Sequence, residues 1–231
     1  MKLYSAILLV FVCVACTSQK TTVGSEYVGK PYLNNPLGEN IAPDTDPLIR
    51  FDAFDCLTFI ETSLADGDVQ KLKKIRYKNG IVDFVNRNHF IETDWIPNNS
   101  DLVQEVTEKY GKTAIRMVKI DRANWMKQHY DITDDTPVKT VGLKYIPYNT
   151  ITKIENSEPL IVLFIRNTPK NIATLGTDLA VRHIGFLLPD GTLRHASRTK
   201  KSVVDTDFYK YINRIMDNKN NLGIMLLEIK K

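Results

Sequence analysis

The chain of 231 residues carries a formal net charge of +4, with 43% hydrophobic and 25% charged residues. These proportions are ordinary for a soluble globular protein, and the length allows one large domain or two small ones around a real core. Its lysines are spread along the chain rather than clustered, which argues against a nucleic-acid partner.

Residues 1–16 read as an export signal. Lys2 gives a positive start, Ala6 to Val12 a short apolar run, and Val14-Ala15 small residues before Cys16. The run is too short to span a bilayer. The segment resembles a bacterial lipoprotein signal, which implies that Cys16 is acylated and becomes the first residue of the mature chain. An ordinary cleaved signal is the alternative. The implied location is exported and membrane-anchored through that lipid, on the periplasmic or cell-surface side. Residues 17–29 are polar and read as a flexible tether, leaving 30–231 as a single domain. Cys56 is then the only thiol of the body, so no internal disulfide can form.

Residues 27–47, rich in Pro, Gly and Asn, are expected to be extended. A helix is predicted from 54 to about 69: Leu57, Ile60 and Leu64 fall at helical spacing, and Asp52 or Asp55 can cap its start. Residues 71–130 read as mixed and mostly helical. One helix is predicted at 101–110, closed by Gly111, and another at 122–130. From Pro137 the pattern becomes β-like, with strands predicted at 138–145, 160–165, 180–188, 193–197 and 223–229. Pro189-Asp190-Gly191 makes a hairpin turn between the third and fourth, and 205–216 reads as a late helix. Helices first and a mostly antiparallel sheet second is an α+β order.

A lone thiol at a helix start, followed by two histidines on paired strands, suits a cysteine hydrolase. A helix N-terminus and a nearby imidazolium can lower a thiol pKa, so Cys56 is a candidate nucleophile; a buried structural cysteine is the alternative. His183 and His195 lie on the two arms of the predicted hairpin. One can take the thiol proton while the other fixes its tautomer.

Asp55-Cys56, His183-Ile184-Gly185 and His195-Ala196-Ser197 resemble the motifs of NlpC-type cell-wall cysteine peptidases of the papain-like fold. The run from Arg50 to Glu61 and Gly29-Lys30-Pro31-Tyr32 resemble more closely their AmiA-like branch, linked to N-acetylmuramoyl-L-alanine amidase activity. The resemblance implies an α+β papain-like fold with the Cys-bearing helix on an antiparallel sheet. It implies Cys56 as nucleophile, His183 as general base and His195 as its orienting partner. Tyr32 is implied at the cleft, binding the oxyanion or substrate, and Asp55 as a substrate contact or helix cap.

The expected substrate is a peptidoglycan fragment cut between muramic acid and L-Ala by a monomer with no cofactor and no metal. Leu57 stands where many endopeptidases of the wider family carry a Ser that helps hold a free L-Ala amine. That favours an intact MurNAc–L-Ala bond over the alternative, a γ-D-glutamyl–diamino acid bond. Two other classes are a non-catalytic muropeptide-binding lipoprotein and a zinc protein using Cys56, His183 and His195; no CxxC or HExxH spacing supports the latter. Glu61 and Thr58 are given no catalytic role; His89 and His129 read as polar surface or core residues, with cleft lining the alternative for His89, and Tyr145 and Tyr148 can stack on a sugar or belong to a structural turn at Pro147.

Overall fold

The computed structural model describes residues 22–38, 48–168 and 170–230. The signal at 1–16 and Cys16 lie outside them. Among the described residues, eight strands form one sheet: β1 Val103–Glu105, β2 Ala114–Ile120, β3 Lys139–Pro147, β4 Leu160–Arg166, β5 Val181–Leu187, β6 Thr192–Ser197, β7 Ser202–Asp207 and β8 Asn221–Ile229. Their order is β2-β3-β8-β4-β5-β6-β7, with β1 also against β8, and every pairing is antiparallel. The helices are α1 Cys56–Ala65, α2 Val69–Arg76, α3 Ile96–Asn98, α4 Arg122–Tyr130, α5 Asn171–Leu175 and α6 Phe208–Ile215. The protein is therefore α+β, with helices packed on a large antiparallel sheet. None of these helices is long and apolar enough to cross a membrane.

The continuous apolar run of β4 follows from its central place. Side chains alternate across a strand. Ile161, Leu163 and Ile165 enter the core shared with α1, while Leu160, Val162 and Phe164 enter a second core under α6. Both faces are covered, so no polar alternation is needed.

Helix α1 starts at Cys56 because Asp55 caps it. Asp55 Oδ1 accepts from the backbone N–H of Leu57 (3.1 Å) and Thr58 (2.8 Å), and Thr58 Oγ1 accepts from the Asp55 N–H (3.0 Å). This reciprocal pair is a capping box. The helix ends at Asp66, in a left-handed conformation (φ 53°), followed by Gly67. One ring series seats α1 on the sheet: Tyr27 on Phe54 at 5.0 Å, Phe54 on Phe59 at 6.1 Å, and Phe59 edge-on to Phe186 of β5 at 5.7 Å. Behind it, Arg76 of α2 donates to Glu61 of α1 at 2.8 Å, both fully buried. Glu61 is thus a buried brace.

The structure corrects four sequence expectations. Residues 22–29, expected as the end of a tether, belong to the packed body: Tyr27 is buried, and the Gly29 N–H donates to Val203 O at 2.8 Å. Further along, Lys30 O accepts from Val203 N–H and Tyr32 N–H donates to Lys201 O, covering the β7 edge. Arg194 of β6 holds this entry segment, donating to Thr22 Oγ1 (2.8 Å) and Val23 O (3.0 Å) while its other nitrogens fork onto Asp205.

Residues 101–110 are not a helix. Val103 pairs with Ile229 as strand β1, and Thr107–Lys109 forms a single 3₁₀ turn. Strand β3 pairs with β8 only at Gly223 and Ile224, so that side of β8 supplies backbone partners to β1 at 227–229, and three apolar residues in six fit a strand plus a turn as well as a helix. Strand β2 stands in a region expected to be mostly helical; its Ala-Ile-Arg-Met-Val-Lys-Ile pattern alternates in burial. The late helix begins only at Phe208, because 202–207 is taken by β7, and Asp207 caps α6 through the Lys210 N–H.

Replacing Glu61 by Ala strands the Arg76 charge in the core. We expect a loss of about 3–5 kcal/mol, the usual cost of breaking a buried pair, read as a lower midpoint in urea unfolding.

Candidate active site

Cys56 opens α1 and is half-buried. It shares a cleft of about 580 Å³ with Tyr32, His183 and His195. The backbone N–H of Ile184, the residue after His183, faces its sulfur. Tyr32 is held at both ends of this arrangement: its strand-like bridge to Phe54 adjoins the helix start, and its N–H bonds the β7 end.

Two local irregularities aim the histidines. The β4–β5 register slips between Phe164 and Ile165, which pair with His183 and Val181, so Arg182 is the extra residue of a bulge. Bulges re-aim side chains and recur beside active sites. On the other side, the β5–β6 ladder is paired only at Phe186 and Leu187. Gly185 lies where the arms come together; a Cβ there would sit 2.8 Å from Leu193 Cδ1 and 3.1 Å from both Arg194 O and His195 Cβ. His183 Nε2 and His195 Nδ1 are 2.6 Å apart, with the rings edge-to-face. The Tyr211 ring of α6 packs against both, at 6.1 Å and 5.3 Å.

The hydrogen bonds define a proton order. If His183 Nδ1 is to accept the thiol proton, Nε2 must carry the hydrogen and donate to His195 Nδ1. His195 then holds its own proton on Nε2, facing Thr206 Oγ1 at 3.5 Å. Thr206 in turn reaches Leu193 O at 3.4 Å. The chain runs from imidazole to imidazole to hydroxyl to backbone.

The family model described as "AmiA-like: N-acetylmuramoyl-L-alanine amidase-like" matches residues 22–219. The chain belongs to the AmiA-like family. Among solved structures, a Legionella pneumophila protein assigned to the family-model DUF1460 aligns with TM-score 0.80 and 22% identity, over 90% of this chain and 87% of that one. That likeness speaks for the fold. An N-acetylmuramoyl-L-alanine amidase from Bacteroides uniformis aligns with TM-score 0.69 and 25% identity, over 90% of this chain and 96% of that one. No curated protein matches.

In this AmiA-like chain the charges at the site run against one expectation. Burial pushes the Cys56 thiol up to about 12, with the Asp55 charge adding to it; the N–H groups of Ile184, Cys56 and Leu57 oppose the rise. Desolvation outweighs the helix terminus, whose benefit the Asp55 cap offsets. His183 is held well below its usual value by burial, then by His195 and Arg182. Burial and Arg214 lower His195 to about 4, against Asp205. The resting pair is a neutral thiol and a neutral imidazole. Tyr32, raised to about 12 by burial and by the neighbouring Cys56 and Asp55, keeps its phenolic proton and can donate.

The remaining sequence candidates fall into structural places. Asp55 has its Oδ1 engaged by the cap. His89 packs between Phe84 and Trp125, bonds Phe84 O at 2.8 Å and is lowered by burial to about 3. His129 is exposed at the end of α4. Tyr148 is core, and Tyr145 sits on β3. Among the described residues, no cluster of three His, Cys, Asp or Glu is placed to hold a metal. The cleft residues not foreseen include Tyr211, Arg166, Arg182, Arg198 and Arg214, and Thr206, which backs His195 from outside the cleft lining, was not foreseen either. Arg182 and Arg198 flank the two histidine motifs directly. Tyr211 and Arg214, three apart on α6, stack at 5.2 Å.

Two outcomes follow. Alkylation of Cys56 by iodoacetamide should keep accelerating as pH rises past 9, with no acid-shifted plateau; a plateau near pH 6 would mean a preformed thiolate. Stability should fall as pH drops below 6.5. The buried imidazoles are depressed, so the unfolded chain binds protons that the fold refuses, and His195 alone contributes a loss of about 2 kcal/mol by pH 5. Urea midpoints at pH 7.5, 6 and 5 check it.

Proposed function

We propose that this protein is a cysteine amidohydrolase that cleaves the N-acetylmuramoyl–L-Ala amide of peptidoglycan fragments, with Cys56, His183 and His195 as its working trio and an NlpC-type papain-like arrangement. The carrying observation is the 2.6 Å imidazole pair in one cleft with Cys56, the one cysteine among the described residues. Membership of the AmiA-like family and the likeness to the Bacteroides uniformis amidase support it.

The neutral resting pair defines the chemistry. As Sγ attacks the lactyl carbonyl carbon, its proton passes to His183 Nδ1. The attack is general-base assisted, rather than made by a standing thiolate. His195 stabilises the imidazolium that forms, through the Nε2–Nδ1 bond. The Cys56 N–H and the Tyr32 hydroxyl are the donors for the tetrahedral oxyanion. Collapse breaks the C–N bond, and the L-Ala nitrogen leaves with the proton from His183. The thioester is then hydrolysed by a water that gives its proton to the same nitrogen, restoring the thiol.

Leu57 provides no acceptor for a free L-Ala amine, which supports the muramoyl bond over the γ-D-glutamyl one. The high thiol pKa gives weight to one second reading, a muropeptide-binding lipoprotein without turnover. On the sequence alone, residues 1–16 are proposed as its lipoprotein signal and Cys16 as the acylated residue of an exported, membrane-anchored chain.

Defined muropeptides digested by the wild type should yield, by mass spectrometry, peptide-free sugar and intact stem peptide. Cys56→Ala should release neither. Sugar still bearing L-Ala-D-Glu would identify the γ-D-glutamyl cut, and no product from the wild type would leave the binder. Thr206→Val should lower kcat several-fold with little change in KM, since it frees the His195 tautomer without touching substrate.

A further inference from the structure

Eight of the ten arginines of this protein fall into two sets. Those that brace the body carry carboxylates: Arg76 on Glu61, Arg116 on Asp178, Arg122 on Asp94 and Asp134, Arg194 on Asp205. The four that line the cleft do not. Among the described residues, Arg166, Arg182, Arg198 and Arg214 form no ion pair, although all four border the cavity that holds Cys56.

Their contacts are few. Arg182 donates to Asn221 Oδ1 at 3.0 Å, and Arg214 lies over the Tyr211 ring. The Arg166 Nε is buried with no acceptor. A buried donor without a partner is costly and calls for an explanation. The carboxylate that acts on Arg166, Glu92, is already engaged by the Ala180 and Val181 N–H groups at 2.9 and 3.0 Å. Arg166 and Arg182 also repel each other. Both line a second hollow of about 270 Å³, together with Lys170, Asn218 and Asn220. A positive track therefore leads from the thiol into a polar, carboxylate-free recess. Guanidinium forks fit carboxylates in bidentate geometry.

We propose that Arg166 and Arg182, flanked by Arg198 and Arg214, form a subsite for the carboxylates of the acidic peptide that leaves the scissile amide, and that tight binding needs at least two free carboxylates on it. The identity of that peptide as the leaving group rests on the hydrolase reading above. The subsite makes the enzyme selective for the peptide half of the substrate by charge, and peptides whose carboxyls are amidated bind weakly because they leave its guanidiniums unpaired.

Titration calorimetry on the Cys56→Ala protein separates binding from turnover. The probes are L-Ala-γ-D-Glu-Gly, which carries two carboxylates, and its diamide. The diacid should bind at least about tenfold more tightly, the scale of one charge-assisted pair, and added salt should erode that preference. In the same background, Arg182→Gln and Arg166→Gln should each remove most of the preference while leaving the diamide's weak binding as it was. Arg182→Lys, which keeps the charge and loses the fork, should fall between. Equal affinity for diacid and diamide would overturn the subsite, as would an unchanged preference in both Gln variants. If Arg166→Gln unfolds on thermal scanning, Arg198→Gln, at an exposed position, carries the same test. A wild type that turns over nothing would sink the hydrolase reading and leave these binding results standing.

Discussion

The edge-on contact of Phe59 with Phe186 is the interaction on which the site depends. Phe59 lies one turn after Cys56, and Phe186 lies three residues after His183. Fixing those rings fixes the approach of the helix start to the strand. The contact is dry, extended by Phe54 and Tyr27, and backed by the buried Glu61–Arg76 pair. A site built on a rigid helix and a central strand is held more tightly than one built on loops.

The same dryness decides the resting chemistry. Packing the thiol against Ile184 and the imidazoles against Phe164 and Tyr211 disfavours separated charges, while Cys56 and His183 each keep a half-exposed face on the cleft. The protein therefore stores no thiolate. It stores instead a hydrogen-bonded path along which, in the proposed reaction, charge forms once a carbonyl carbon is in place. Substrate that fills the cleft with its own dipoles changes this balance in favour of the ion pair.

Much of this was legible in the chain. Asp55 before Cys56, and the apolar spacing of Ile60 and Leu64, gave α1 to within a few residues. The apolar run of β4 and the Pro-Asp-Gly turn gave the centre of the sheet and its hairpin. What escaped was non-local. β1 exists because β3 covers only the start of one side of β8, and β7 because residues 29–32 return to cover it. The bulge at Arg182 and the narrow gap at Gly185 are register effects, visible only once partners are known. The depressed imidazoles and raised thiol follow from burial, which a motif does not carry. Arg182 and Arg198 were in plain sight beside the histidine motifs; the lack of carboxylate partners around the cleft arginines was not.

Arg194 occupies the position before His195 and grips Thr22 and Val23 while forked onto Asp205. The first described residues are thus fastened to the strand that bears the second imidazole. Anyone trimming this protein for expression has a boundary here: a start point beyond residue 23 would unhook Arg194, and one beyond residue 27 would also discard Tyr27 from the ring series, loosening the candidate site from a cut made far from it in the chain. A fusion partner joined before Thr22 leaves that fastening whole.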